Sequence, residues 1–335
     1  MPTVSVIIPC YNEEKTIYQL LDGLYHQSFS HEQMEIVIAD GLSRDATRKE
    51  IARFSQDYPQ MGIRVVDNEK RTIPAGLNKA IQAATGEYII RLDAHSIPNE
   101  DYIEKCVHIL QDGKAENVGG VWDIQPGRNT WIGRSIAAAA AHPIGVGDAG
   151  YRHTRQAGYV DTVPFGGFRR EYILSLGGFD ESLLTNEDYE LNARIRQTGG
   201  RVYLDPAIRC TYFARPTLTA LARQYWRYGY WKAKMLQRYP QTIRWRQALP
   251  PLYILGLLAL LVFSIFFAPF WWILLTVVVL YFGILLITSI SIALQKRDGA
   301  FIMGIPLAIA VMHHCWGVGF LFSIMKQKPA KVSQA

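Results

Sequence analysis

Across 46 residues, from Leu249 to Leu294, the 335-residue chain holds not one Lys, Arg, Asp or Glu, and residues 301–325 hold none either. An ordinary soluble protein is excluded, because a bilayer-spanning helix needs only about 20 apolar residues. Acid is scarce over the whole C-terminal part. Residues 215–335 carry 13 basic side chains and one acid, Asp298, for a net +12; residues 1–214 carry 22 basic and 28 acidic, for a net −6. A basic surplus confined to one region argues against a nucleic-acid binder and favours an anionic lipid surface. The four cysteines (10, 106, 210 and 315) form no CxxC pair and are read as reduced packing residues. No internal repeat or low-complexity tract is present. Met1-Pro2-Thr3 lacks the basic start of a signal peptide, so residues 1–248 are expected to stay cytosolic.

The long apolar run breaks at Ala268-Pro269, which predicts a hairpin of helices over roughly 251–267 and 270–294, with Trp271 and Trp272 as interfacial anchors at its tip. Arg244 and Arg246 precede it and Lys296 and Arg297 follow it, so both flanks are expected in the cytosol. The third run, 301–325, contains Pro306, several glycines and His313-His314, which are costly in lipid unless they face protein or water. If it spans, Lys326, Lys328 and Lys331 lie outside, against the positive-inside rule; a re-entrant or interfacial segment removes the conflict. The sequence leaves that choice open. Residues 217–247 place Leu218, Leu221, Ala222, Tyr225, Tyr228 and Trp231 at helical spacing among Arg and Lys, as an amphipathic helix on a membrane surface does. The expected organisation is a cytosolic domain over 1–214, basic juxtamembrane helices over 215–248, membrane helices over 249–325 and a basic tail over 326–335, in a multi-pass protein of the cytoplasmic (inner) membrane.

The soluble part alternates strand and helix. Val4–Pro9, Met34–Ala39, Ile63–Asp67 and Glu87–Leu92 read as strands, and Glu13–Gln27, Asp45–Tyr58 and Ala75–Ala84 as helices. That order predicts a mainly parallel sheet flanked by helices, with ligands at the carboxyl ends of its strands. Asn12-Glu13, Asp40, Asp67 and Asp93 follow those ends directly. Residues 125–165 show no clear periodicity and are read as a long substrate-facing loop region.

Asp93 and His95, two apart after a hydrophobic strand, can bind one divalent cation from one side and leave positions for a phosphate. By itself an Asp-x-His pair does not establish a metal site. Asn186-Glu187-Asp188 precedes the helical stretch 189–197; the acids either cap that helix or hold a general base at its start. Asp40 either caps a turn with Gly41 or accepts bonds from a ligand. Gln224, Arg227 and Lys232 either hold a phosphate or face lipid headgroups.

Taken together these segments resemble the inverting glycosyltransferases of family 2, over roughly residues 4–230. VSVIIPCYNEE looks like the family's opening strand and nucleotide-contacting loop, which implies nucleotide-binding roles for Pro9, Tyr11 and Glu13. ADGLSRDAT looks like the DDGSTD segment, with Asp40 at the nucleobase-contacting acid. AGLNKAIQAATGEYIIRLDAH matches the stretch that ends in the metal-binding DxD, adding Lys79 and Asp93 to the nucleotide set and Asp93 with His95 as metal ligands. GGFRREYILSLGGFDE with NEDYELNARIRQTGG matches the acceptor side, where the acidic pair implies Asp188 as catalytic base with Glu187 beside it. QYWRYG resembles the Q-x-x-R element, implying that Gln224 and Arg227 help hold the pyrophosphate. DAH, NEDYELNARI, YFARP and QYWRYGYWK are further similar to the succinoglycan-biosynthesis glucosyltransferase group. Three positions depart from the pattern: Gly41 for a second Asp, His95 for the last acid of DxD, and Tyr228 after Arg227 where processive synthases have Trp.

The resemblance implies a GT-A-type, Rossmann-like α/β fold followed by a C-terminal transmembrane region. It also implies Mn²⁺ or Mg²⁺ as cofactor, a nucleotide-diphosphosugar donor with UDP favoured, and a polyprenyl-linked saccharide as acceptor. Transfer to polyprenyl phosphate itself, as in dolichol-phosphate sugar synthases, is the alternative within the enzyme class. A catalytically silent nucleotide-binding membrane scaffold is the alternative outside it.

Overall fold

The computed structural model describes residues 2–326, so Lys328 and Lys331 of the expected basic tail lie outside the described residues. The chain divides into two compact units, Met1–Gln125 with Ala149–Phe213 and Pro126–Asp148 with Ala214–Ala335.

The first unit begins as the alternation predicts: β1 (Val4–Cys10), α1 (Ile17–Tyr25), β2 (Met34–Asp40), α2 (Thr47–Asp57), β3 (Gly62–Asp67), α3 (Ile73–Ala83) and β4 (Tyr88–Arg91). β2 is buried at every residue, as a strand covered on both faces must be. Ile17, Leu20, Leu21 and Leu24 of α1 are buried on a single stripe. This helix starts four residues later than its periodicity suggests, because the Glu13 N–H donates to Thr47 Oγ1 (2.7 Å) and residues 13–16 close a turn instead. Gly86 leads into β4 where a Cβ would stand 2.7 Å from the backbone at Val4 and Ser5.

β5 (Ser96–Pro98), α4 (Tyr102–Gln111) and β6 (Asn117–Pro126) follow. α5 (Trp131–Ala140) and α6 (Pro143–Val146) then lie in the second unit, within the stretch whose sequence shows no periodicity. Thr130 caps α5 by accepting from the Gly133 N–H (3.1 Å). β7 (Gly158–Tyr159), β8 (Gly167–Arg169), α7 (Arg170–Ser175), α8 (Glu187–Gln197) and β9 (Val202–Ala214) complete the sheet unit. The sheet runs β3-β2-β1-β4-β8-β6-β9-β5, with β7 on β9. β1 to β4 pair in parallel, and the β4–β8, β6–β8, β5–β9 and β7–β9 pairings are antiparallel. The predicted parallel sheet is thus one half of a mixed sheet. Its antiparallel half is built from strands as short as two or three residues, too brief to show a period.

The second unit continues with α9 (Leu218–Arg238), α10 (Trp245–Phe266), α11 (Pro269–Lys296) and α12 (Ala300–Lys326). The last three, of 22, 28 and 27 residues, are long and apolar enough to cross a membrane. α10 runs through Pro250 and Pro251 and so begins before residue 251, the start its apolar run predicts.

Candidate active site

Parallel register puts the carboxyl ends of β1 to β4 side by side: Cys10 pairs with Asp40, Asp40 with Asp67, and Ile7 with Arg91. The loops after β1 and β2 are stitched together there. Asn12, in the left-handed region at φ 55°, donates its N–H to Ser43 Oγ (2.8 Å) and accepts from the Arg44 N–H (2.9 Å). Asp40 has no exposed surface. Its carboxylate accepts from Ser43 Oγ (2.5 Å), the Ser43 N–H and Arg48 Nε (2.5 Å), while Arg48 Nη2 reaches Asp67 (2.5 Å). One arginine therefore clamps the ends of β2 and β3. Gly41 has a steric reason, since a Cβ there would stand 3.0 Å from the Tyr11 ring, which is itself half exposed above the loop.

A second arginine organises the end of β4. Arg91 is 2% exposed and donates to Asp93 (3.1 Å) and Glu187 (3.0 Å) through Nη2 and to Asp188 through Nη1. Glu187 and Asp188 open α8, where negative charge also suits the helix N-terminus. Asn186 before them sits at φ 69°, and Phe165, whose backbone N–H also bonds Asp188, at φ 63°. The Arg91 N–H donates to the Gly166 carbonyl (2.9 Å), fastening that loop to β4. Three carboxylates against one guanidinium leave a formal surplus of two negative charges. Burial drives the Asp188 pKa well above the usual carboxylate range; Arg91 opposes this, and Glu187 and Asp93 add to it. Burial alone would lower the Arg91 pKa, but Asp188, Asp93 and Glu187 outweigh it and hold the guanidinium charged. The Asp188 side chain keeps 26% of its surface exposed, so a reactant can reach it.

The structure thus gathers Asp93, Glu187 and Asp188 around Arg91, and adds Glu13 to His95, whose Nδ1 lies 3.2 Å from Glu13 Oε1. Pro9 is the penultimate residue of β1, beside these loops. Lys79, on α3, forms its ion pair with Glu69 (3.4 Å). Gln224 and Arg227 lie on α9 of the second unit, where Gln224 donates to Tyr228 (3.0 Å) and Arg227 is exposed. Arg91 and Arg48 were missed in the sequence. The signal for Arg91 was there, because a charge inside the buried run YIIRL demands counter-charges.

Among the described residues, no three His, Cys, Asp or Glu side chains form a group that could hold a metal by themselves. Asp93 and His95 offer two donors, and the surplus negative charge around Arg91 favours a cation. This donor set fits a divalent ion that takes its remaining ligands from a diphosphate.

The chain is 26% identical over 333 residues to a Methanococcus voltae protein, covering 97% of this chain and 98% of the relative. That relative is named dolichyl N-acetyl-alpha-D-glucosaminyl phosphate 3-beta-D-2,3-diacetamido-2,3-dideoxy-beta-D-glucuronosyltransferase. It is 29% identical to the succinoglycan biosynthesis protein ExoA of Rhizobium meliloti, over 94% of this chain and 93% of that protein. The fold resembles the mannosyltransferase PcManGT from Pyrobaculum calidifontis, solved with GDP-Man and Mn²⁺, at a TM-score of 0.61 and 22% identity, over 94% of this chain and 87% of the other. The model of the glycosyl transferase family 2 matches residues 5–177, which span the strand-end loops, Arg91, Asp93 and His95, and the chain belongs to that family.

Proposed function

We propose that the protein is a membrane-bound, metal-dependent, inverting hexosyltransferase that moves a sugar from a nucleotide-diphosphosugar, a UDP-sugar foremost, to a polyprenyl-linked saccharide. The observation that carries this reading is the Arg91 array. It ties the end of β4, the ligand-binding side of such a sheet, to the acidic first turn of α8. Asp188 accepts the proton of the acceptor hydroxyl as that oxygen attacks the anomeric carbon from the face opposite the departing nucleotide. One in-line displacement inverts that carbon. A raised Asp188 pKa suits the task, because a general base works best with a pKa near the working pH. Arg91, shared among three carboxylates, orients Asp188 without neutralising it.

Asp93 and His95 would hold Mn²⁺ or Mg²⁺, which when bound offsets charge on the leaving diphosphate. Pro9, Tyr11, Glu13, Asp40 and Lys79 form the proposed nucleotide set, and Gln224 and Arg227 the proposed diphosphate contacts. The name of the Methanococcus relative, a transferase acting on a dolichyl-linked sugar phosphate, supports a lipid-linked acceptor, the name of the Rhizobium relative supports a place in polysaccharide synthesis, and the GDP-Man and Mn²⁺ of the Pyrobaculum complex support the donor class and the ion.

The test is to incubate detergent-purified protein with labelled nucleotide sugars, Mn²⁺ and extracted lipid-linked saccharides. Label should enter the lipid-linked glycan with inverted anomeric configuration, and a chelator should stop it. Transfer to bare polyprenyl phosphate alone would move the reading to the lipid-phosphate synthases. Failure with every donor would overturn it.

A further inference from the structure

Asn is a poor helix former, yet Asn78 stands in the middle of α3. Its amide is turned to the loop that links α7 to α8. Nδ2 donates to the Phe179 carbonyl (2.9 Å) and to Glu181 Oε1 (3.0 Å), and Oδ1 accepts from the Phe179 N–H (2.8 Å). Both amide protons and the carbonyl oxygen are thereby used. The amide cannot be turned over, because that would set its N–H groups against the Phe179 N–H. Two consecutive glycines let the loop come this close. Gly177 and Gly178 lie at φ 81° and 72°, and a Cβ on Gly178 would stand 2.5 Å from Asn78 Oδ1.

The same loop is held from α8 as well. Arg194 donates to the Leu176 carbonyl (2.6 Å) and the Gly178 carbonyl (2.6 Å) while paired with the buried Glu190 (2.5 Å). Residues 176–181 are thus pinned to two helices, and Phe179 is the residue that α3 grips by both its N–H and its carbonyl. The Phe179 side chain is 3% exposed and shares one apolar cluster with Leu77 of α3, Ile89 of β4, and Leu191 and Ile195 of α8. The Arg91 guanidinium carbon lies 5.8 Å from the centre of the Phe179 ring, within the range of a cation–π contact. Asn78 therefore reaches the array around Asp188 through one intervening ring. Lys70 also pairs with Glu181 (2.6 Å), but it is largely exposed, and such pairs contribute little.

We propose that Asn78 is a positioning residue for the base: its hold on the backbone of Phe179 sets that ring against Arg91, and with it the guanidinium that orients Asp188. This inference rests on the reading of Asp188 as the base. A general base must stay aimed at the acceptor hydroxyl, and a misplacement of about 1 Å can cost about 10²-fold in rate.

The test compares detergent-purified full-length wild type with Asn78→Ala, Phe179→Leu and the double variant, each assayed for transfer and for Tm. Asn78→Ala should lower kcat by about ten- to 10²-fold with the donor KM within about twofold. Phe179→Leu keeps an apolar side chain but removes the ring, and should lower kcat to a similar extent. Because both act through one contact, the double variant should lose no more than about twofold beyond the worse single variant. Lys70→Met should leave kcat at the wild-type value. Single losses that multiply in the double variant would reduce Asn78 to a structural bond and overturn the inference. A raised donor KM with kcat unchanged would overturn it too, placing Asn78 in the donor pocket beside Lys79. Should Asn78→Ala fail to fold, Phe179→Leu decides, and a wild-type kcat in that variant overturns the inference. No transfer by the wild type would overturn the proposed function as well; normal wild-type transfer with an unchanged kcat in Asn78→Ala would overturn this inference alone.

Discussion

Two arginines stand at the carboxyl end of one sheet and do different work. Arg48 joins Asp40 to Asp67, and its side chain is 45% exposed. Arg91 joins Asp93, Glu187 and Asp188, and its side chain is 2% exposed. The first cluster comes close to charge balance and is already bonded through Ser43, so it serves to hold two loops in register. The second is buried and short of positive charge by two. Electrostatics is stronger where water is excluded, so the deficit there attracts a cation and raises the Asp188 pKa. Loop-holding tolerates solvent; the proposed chemistry is placed where charge is unbalanced and the organising arginine is buried.

Removing either side of the second cluster should hurt most. Asp93→Asn, or a chelator, should lower kcat/KM by about 10²–10³-fold, the several kcal/mol that a metal ion supplies in charge stabilisation. Added Mn²⁺ should restore the chelated wild type and not the variant. Arg91→Met should cut kcat by about 10²-fold and lower stability by about 3 kcal/mol, as stranding buried carboxylates does.

The sign of its pH dependence is fixed. Arg91 is the cation that pulls the Asp188 pKa down against burial, so its loss should move the acid limb of the kcat profile to higher pH. A carboxyl group with a raised native pKa binds its proton more tightly folded than unfolded. The variant should therefore regain stability as pH falls and lose it as pH rises, measured as Tm across a pH series.

Arg48→Met should act on the other cluster, raising the donor KM by about tenfold with kcat within about twofold, which a KM-against-kcat comparison reads. Gly41→Asp should have the smallest effect, a donor KM raised a few-fold by crowding against Tyr11, and Tyr11→Ala should relieve part of it. Equal losses from Arg48→Met and Arg91→Met would erase the contrast between the clusters.

The parallel half of the sheet was legible, because β1 to β3 run six or seven residues, the apolar run into β4 follows them, and helices with clear apolar stripes separate the strands. The carboxylates of the site were legible too, through their place after strands and their likeness to family segments. Their partners were not, because Arg48 and Arg91 come from a helix and a strand, and pairing across Arg91 and Asp188 spans 97 positions. α5 escaped notice although WIGRSIAAAA is amphipathic and buries Ile136, Ala137, Ala139 and Ala140, because it lies in a stretch read as loop.

The most direct test of the account is Asp188→Asn, assayed for transfer and, by calorimetry with Mn²⁺, for donor binding. Transfer should fall by about 10²–10⁴-fold, the range a general base supplies, while the donor Kd stays within about threefold of wild type. Turnover near the wild-type rate would contradict the assignment of Asp188 as the base and pass that role to Glu187.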